Sequence, residues 1–305
     1  MIGPEHETAR RGEPGAAGFG DAVTFAFGDA AQGVYGSARL GLGWAEADSA
    51  RASGLGLLFA GDELAAVDAI GGIELDGADW GALEVGDVRA TVEQPLHAWQ
   101  VVYDGDDGGF ELRFEALSAP AELGDGDALG GSVADLHGYE QLCRVTGTAR
   151  RGEQRLRVDC LGQRGHQWGA PDWKRIELAR TVSAWFAGGH GVALASVRPA
   201  DAPGHGSEAA SACVLDGEAV TAIAEPLLST TLDRDGRQRR ASLELWEQPE
   251  DRERGRWVAH RAAGEAVCGT TLDLGRLRLD CAFFRWRMQG REGVGRYDVL
   301  RRAEP

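Results

Sequence analysis

Tyr139-Glu-Gln-Leu-Cys-Arg-Val-Thr-Gly-Thr-Ala-Arg-Arg-Gly-Glu-Gln-Arg-Leu-Arg-Val-Asp-Cys-Leu161 reads as two strands joined by a turn. In the second arm Leu156, Val158 and Cys160 fall on one face, and Arg155, Arg157 and Asp159 on the other. This is the period-two alternation of an extended chain with one buried face. The turn, Thr148 to Glu153, carries the glycine that a tight reversal needs.

The same rhythm extends both ways from this hairpin. Upstream, Arg39 to Trp44, Gly54 to Phe59, Leu64 to Ala69, Val85 to Val92, Ala98 to Tyr103 and Phe110 to Leu117 read as strands, and Val23, Phe25 and Phe27 alternate ahead of them. Downstream come Arg175 to Phe186, His190 to Val197, hairpins centred on Asp216-Gly217 and Asp235-Gly236, and a closing hairpin of Leu274 to Met288 with Val294 to Arg301. Between Ser118 and His137 a proline, glycines and aspartates interrupt the pattern, as an interdomain linker or a long loop does. The reading is all-β with little helix: a tail over 1–20, a first β domain over 21–118, a linker or loop over 119–137 and a second β domain over 138–305. Many antiparallel strands in succession leave exposed edges unless each sheet closes, so two consecutive antiparallel barrels, or strongly curved sheets, are expected.

Bulk composition narrows the function. A chain of 305 residues with 43% apolar content buries a sizeable core, and its 45 glycines punctuate strands without collagen periodicity. The formal charge of -16 repels polyanions, and the arginines are scattered among acids, so neither nucleic acid nor an anionic membrane is an expected partner. No run of about 18 apolar residues occurs, and the N-terminus lacks the apolar core of a signal peptide, which predicts a cytoplasmic protein without membrane insertion. Five widely spaced cysteines without a CxxC pair predict free thiols, and no ligand spacing predicts a metal. Nucleophile-elbow and phosphate-loop motifs are also missing. The oligomeric state is not legible.

The most site-like stretch is Gly165-His166-Gln167-Trp168-Gly169-Ala170-Pro171-Asp172-Trp173, read as a glycine-punctuated turn holding an imidazole, two indoles and a carboxylate. With Phe284-Arg285-Trp286-Arg287 running into Gly290-Arg-Glu-Gly-Val-Gly295, it gives the region 138–302 a pattern that resembles the two-domain lipocalin-like (calycin) proteins. These include carotenoid 1,2-hydratases and, more distantly, tocopherol cyclases. Gln167 stands where that family's turn has serine, and Pro171 where it has arginine. The resemblance implies paired calycin barrels and, in the enzymatic members, cofactor-free protonation of an isoprenoid double bond.

Such chemistry needs an acid kept neutral until use, and burial among aromatic rings raises a carboxyl pKa. Asp172 is the expected donor, with His166 relaying the proton or orienting the acid. Trp168, Trp173 and Trp185 would offer ring faces to a developing cation, and Tyr139 and Trp286 would complete the substrate wall. Each residue also has a plainer reading: the tryptophans as core plugs, Asp172 as a turn cap, His166 as a structural hydrogen-bonding group. Two functions follow: a cofactor-independent lyase or isomerase that hydrates, isomerises or cyclises a hydrophobic isoprenoid- or polyketide-like molecule, or a non-catalytic carrier of such a ligand. A carbohydrate-binding β-sandwich with exposed tryptophans is a third.

Overall fold

The computed structural model describes residues 2–12, 18–44, 49–77, 79–124, 135–202, 208–248 and 257–303. Among them run a short 3-10 turn, Pro4–Glu7, and the strands β1 (Gly20–Asp29), β2 (Val34–Trp44), β3 (Ser49–Ala60), β4 (Glu63–Asp76), β5 (Ala82–Val85), β6 (Val88–Gln94), β7 (Ala98–Asp104), β8 (Gly108–Ala116), β9 (Ala121–Leu123) and β10 (Leu136–Arg151). There follow β11 (Gln154–Gly169), β12 (Ile176–Phe186), β13 (His190–Pro199), β14 (Ala209–Asp216), β15 (Ala219–Ile223), β16 (Glu225–Leu232), β17 (Gln238–Glu247), β18 (Val258–Asp273), β19 (Leu277–Met288) and β20 (Arg291–Arg302). No described helix is long and apolar enough to cross a membrane.

The strands form two curled antiparallel sheets, each nearly closed into a barrel. The first has the order β4-β3-β2-β1-β11-β10-β8-β7-β6-β5, with β9 paired to β10, and β5 and β6 approach β3 and β2 across the interior. The second has the order β15-β14-β13-β12-β20-β19-β18-β17-β16, with β15 and β14 approaching β17 and β16. Tight turns set several registers. Gln289 and Gly290 both take positive φ (50° and 79°), the conformation of a two-residue hairpin whose twist matches its strands.

Strand alternation sorts the core into three layers. Val23, Phe25 and Phe27 of β1, Leu40 and Leu42 of β2, and Phe114, Trp99 and Val145 fill the first barrel. Val182, Phe186, Leu194, Phe284, Trp286 and Tyr297 fill the second. The opposite faces of the same strands meet between the barrels, where Ala26, Tyr35, Leu57, Phe59 and Leu142 pack against Trp185, Cys213, Cys281 and Phe283. Strands β1, β2, β10 and β11 are therefore apolar on both faces, and a simple in-out alternation does not identify which face looks where.

The chain leaves the first sheet later than its rhythm indicates. Residues 138–169, assigned above to the second half, are strands of the first sheet: β11 pairs with β1 from Gly20↔Gly169 to Gly28↔Leu161, and β10 pairs with β8. The crossing to the second sheet is the short connection 170–175. Within the expected linker, Ala121–Leu123 is a strand and β10 begins at Leu136, while 125–134 lies outside the described residues. Gly165 to Gly169, expected as part of a turn, continues strand β11.

Nor is the N-terminal segment a loose tail. Glu7 is buried inside the first barrel, where it accepts hydrogen bonds from Arg164 Nη2 (3.0 Å), Trp99 Nε1 (3.3 Å) and Tyr139 OH (3.3 Å). The Arg164 guanidinium lies over both the Trp99 and Tyr139 rings. All five cysteines are free thiols, four of them buried.

Candidate functional site

Between the barrels, at the end where β1 begins and β11 ends, the packed layer gives way to a cavity of about 710 Å³. The sequence makes the void by placing small residues at positions that face the opposite barrel: Gly20 and Ala22 on β1, Gly41 and Gly43 on β2 and Gly165 on β11 in the first, and Ala179 and Ala195 on β12 and β13 in the second. A few residues further along β1 and β12, Ala26 and Trp185 close the gap together with Leu142 of β10 and Phe283 of β19. The volume suits a small organic ligand.

Polar side chains enter this hollow from both barrels. Across the first sheet one register row runs Arg39 (β2), Thr24 (β1), Gly165 (β11), Glu140 (β10). Facing it, the second sheet presents Ser183 and Thr181 of β12 beside Arg296 and Asp298 of β20. Glu140 is 7% exposed and accepts a 2.6 Å hydrogen bond from Ser183 Oγ on the opposite barrel. Burial raises its pKa from 4.5 to about 7, against the opposing pull of Ser183, Arg296 and Gln163, with the Asp298 charge adding to the rise. A carboxyl balanced at neutral pH both gives and takes protons.

Arg296, 4% exposed, forks onto Asp298 (Nε to Oδ1 2.9 Å, Nη2 to Oδ2 2.6 Å), while its Nη1 is buried without a partner. Gln163 Oε1 is likewise buried and unpaired. Arg39, partly buried, makes no side-chain hydrogen bond or ion pair to the described residues. Burial and the like charge of Arg296 lower its pKa, Asp298 and Asp21 opposing.

The residues singled out from sequence separate into different places. Asp172 is exposed on the 170–175 connection, where its carboxylate caps the turn by accepting the Lys174 N–H at 3.1 Å. Exposed, it lacks the burial expected of the acid, whereas Glu140 and Asp21 are buried carboxyls that border the cavity. His166 is buried and borders the cavity, but it sits in the row of Val23 and Tyr139, on the first-barrel side of its strand. Its Nε2 lies 2.5 Å from Asp21 Oδ1, and Asp21 Oδ2 in turn accepts from Trp80 Nε1 and the Arg10 N–H. Burial pushes the His166 pKa down, Asp21 opposing, so the ring is a neutral strut.

Trp168 stacks with His137 and lies under the Arg10 guanidinium, at 3.8 Å from its centroid. Trp173 packs on the Ile176 and Val197 cluster, and both indoles border the cavity. Tyr139 borders it too, although its ring faces the first barrel and its hydroxyl is bonded to Glu7. Trp185 lies in the packed layer and Trp286 inside the second barrel, stacked on Phe284 at 5.5 Å, so neither borders the cavity. Arg39, Ser183 and Arg296 escaped the sequence reading, and Glu140 entered it only as the residue beside Tyr139 that could face the same cavity. The available signal was a charged or hydroxylated residue at an interior position of an otherwise apolar strand.

Fold and site together define a protein of paired lipocalin-like barrels with a polar-centred pocket between them. The chain belongs to the family described as a domain of unknown function, DUF7064, whose profile matches residues 3–303. No curated protein matches it significantly in sequence. Among solved structures it is similar to an AttH-like protein from Nitrosomonas europaea (10% identity, TM-score 0.65, 92% of this chain and 91% of that one). It is also similar to CghA, solved with Sch210972 (13%, 0.63, 97% and 94%), and to kievitone hydratase from Nectria haematococca (11%, 0.60, 94% and 90%). At these identities the likeness is one of fold. These neighbours support the paired-barrel fold that the sequence resemblance implied.

Proposed function

We propose that the protein is a cofactor-independent lyase or isomerase that hydrates, isomerises or cyclises a hydrophobic small molecule in the cavity between the barrels, with Glu140 as its acid. The observation that carries this reading is a carboxyl buried in a pocket wall and balanced between protonated and ionised forms near pH 7. In the forward step the Glu140 O–H bond breaks, its proton goes to a substrate carbon, and the π pair of a double bond becomes the new C–H bond. The electron-deficient carbon then takes the oxygen of water, which gives up a proton to the Glu140 carboxylate, or loses a neighbouring proton to that carboxylate, or is attacked by a second double bond whose new cation loses its neighbouring proton to the carboxylate. Ser183 orients the carboxyl through its 2.6 Å bond and ties the acid to the opposite wall. The reading draws further support from the neighbours: one is by name a hydratase, and CghA accommodates a small molecule in the same two-barrel fold.

The test is conversion of the ligand that copurifies with the protein, followed by mass spectrometry in heavy water. Wild-type protein should place deuterium on a product carbon, and Glu140→Gln should lose at least about a hundredfold in rate while still retaining the ligand. Recovery of the unaltered molecule from both proteins would make the chain a carrier instead.

A further inference from the structure

The cavity wall carries a guanidinium that no carboxylate among the described residues pairs with directly. Arg39 lies back along its own strand, with Nη1 3.0 Å and Cζ 3.9 Å from where a Cβ on Gly41 would stand, so the missing side chain at Gly41 is the cradle that keeps the guanidinium in the hollow. Across the gap, Arg296 is buried with one nitrogen unpaired. Asp298 neutralises a single guanidinium. The remaining fork, Arg39, makes no direct hydrogen bond or ion pair with an acid among the described residues, Asp298 and Asp21 acting on it only at longer range. An arginine in a partly desolvated site without a carboxylate is matched by an anionic oxygen group brought by a ligand, which it can bind through two parallel N–H donors.

From this geometry we infer that the substrate is an amphipathic molecule bearing an anionic oxygen function, a carboxylate or an enolised carbonyl, which docks on Arg39 and lays its apolar frame across Thr24 and Gly165 toward Glu140. Arg39 and Glu140 lie three strand spacings apart in one register row, about 14 Å along the sheet at roughly 4.8 Å per strand. Both side chains reach inward, which leaves room for a bicyclic skeleton between them. Charge also selects the chemistry. The guanidinium of Arg39, left without a direct counter-ion, opposes a free carbocation, whereas it stabilises charge that moves onto oxygen. With an extended enolate whose oxygen docks on Arg39 and whose far carbon reaches Glu140, an oxygen lone pair forms the carbonyl π bond, each conjugated π pair shifts one bond along, and the last pair takes the Glu140 proton as a new C–H bond, leaving the Glu140 carboxylate. The overall charge of -16 does not forbid this, because exposed acids more than about 8 Å away are screened at physiological salt.

The inference rests on the cavity being the ligand site, as in the proposed function, and is tested apart from turnover by equilibrium binding of two matched probe pairs: 2-naphthoate with 2-naphthamide, and 4-hydroxycoumarin with coumarin. Titrations at about pH 6 keep both acids ionised and most of Glu140 protonated, since it ionises at about 7. Wild-type protein should bind at least one anion about tenfold or more tightly than its neutral counterpart. Preference for naphthoate alone marks a carboxylate substrate, and for hydroxycoumarin alone an enolised one. Arg39→Met should erase the preference while leaving the neutral probe's affinity within about twofold, and Arg39→Lys should restore part of it. Equal binding of anion and neutral probe, no binding of either up to millimolar concentration, or a preference that survives Arg39→Met overturns the inference. Glu140→Gln should keep the preference, so loss of the acid role and loss of the anion site register in different variants.

Discussion

Replacing Glu140 by glutamine should make the protein more stable at neutral and alkaline pH, and the size of the gain follows from the burial of that carboxyl. Folding raises its pKa from 4.5 to about 7, so the native state holds the proton more tightly than the unfolded chain does. Stability from this group is therefore present in full below 4.5 and is lost as pH rises through about 7. At about 1.4 kcal/mol per tenfold difference in proton affinity, the loss is about 3 kcal/mol by pH 8. Glutamine occupies the same volume, still accepts the Ser183 hydroxyl, and does not ionise. Urea denaturation of both proteins between about pH 4.5 and 8.5 measures the difference, in which the titration of every other group cancels. The difference, variant minus wild type, should climb by about 3 kcal/mol between pH 4.5 and 7 and then level off. A flat difference, or one that falls with pH, would refute the claim that this acid is desolvated.

Three further outcomes are expected. Glu7→Gln should destabilise the first barrel by about 3 to 5 kcal/mol, read by the same denaturation, because it strips Arg164 of its buried counter-charge. Gly165→Leu should abolish probe binding with a stability change under about 1 kcal/mol, since a Cβ there meets Glu140 Cγ at an ordinary 3.6 Å and the rest of the side chain fills the cavity. Asp172→Asn should leave ligand conversion unchanged and shift stability by less than about 0.5 kcal/mol, asparagine being an equally good cap for that exposed turn.

The extent to which this molecule can be read from its sequence differs between elements. Strands such as β7, β8 and the closing pair β19 and β20 announce themselves through alternation and glycine turns, because both signals are local. The insertion of β10 and β11 into the first sheet does not, because the pairing of Val23 with His166 spans most of the first half and leaves no short-range mark. A long polar loop drew the boundary to 119–137, whereas the chain changes barrels at the compact 170–175 connection. The candidate acid was sought at another residue for a related reason. Conspicuous aromatic residues cluster around position 168, yet the indoles of Trp185 and Trp286 are packing, and His166 looks into the first barrel. Glu140 stands next to Tyr139 in sequence but on the opposite face, and only the meeting of two barrels gives that face a function.

The account depends above all on the protonation state of one side chain. Carbon-13 NMR of protein labelled at glutamate carboxyls, titrated for wild type and Glu140→Gln, reads it directly. The account predicts one resonance with a midpoint near 7 that is missing from the variant. A spectrum in which every glutamate of the wild type titrates below about 5 would contradict it.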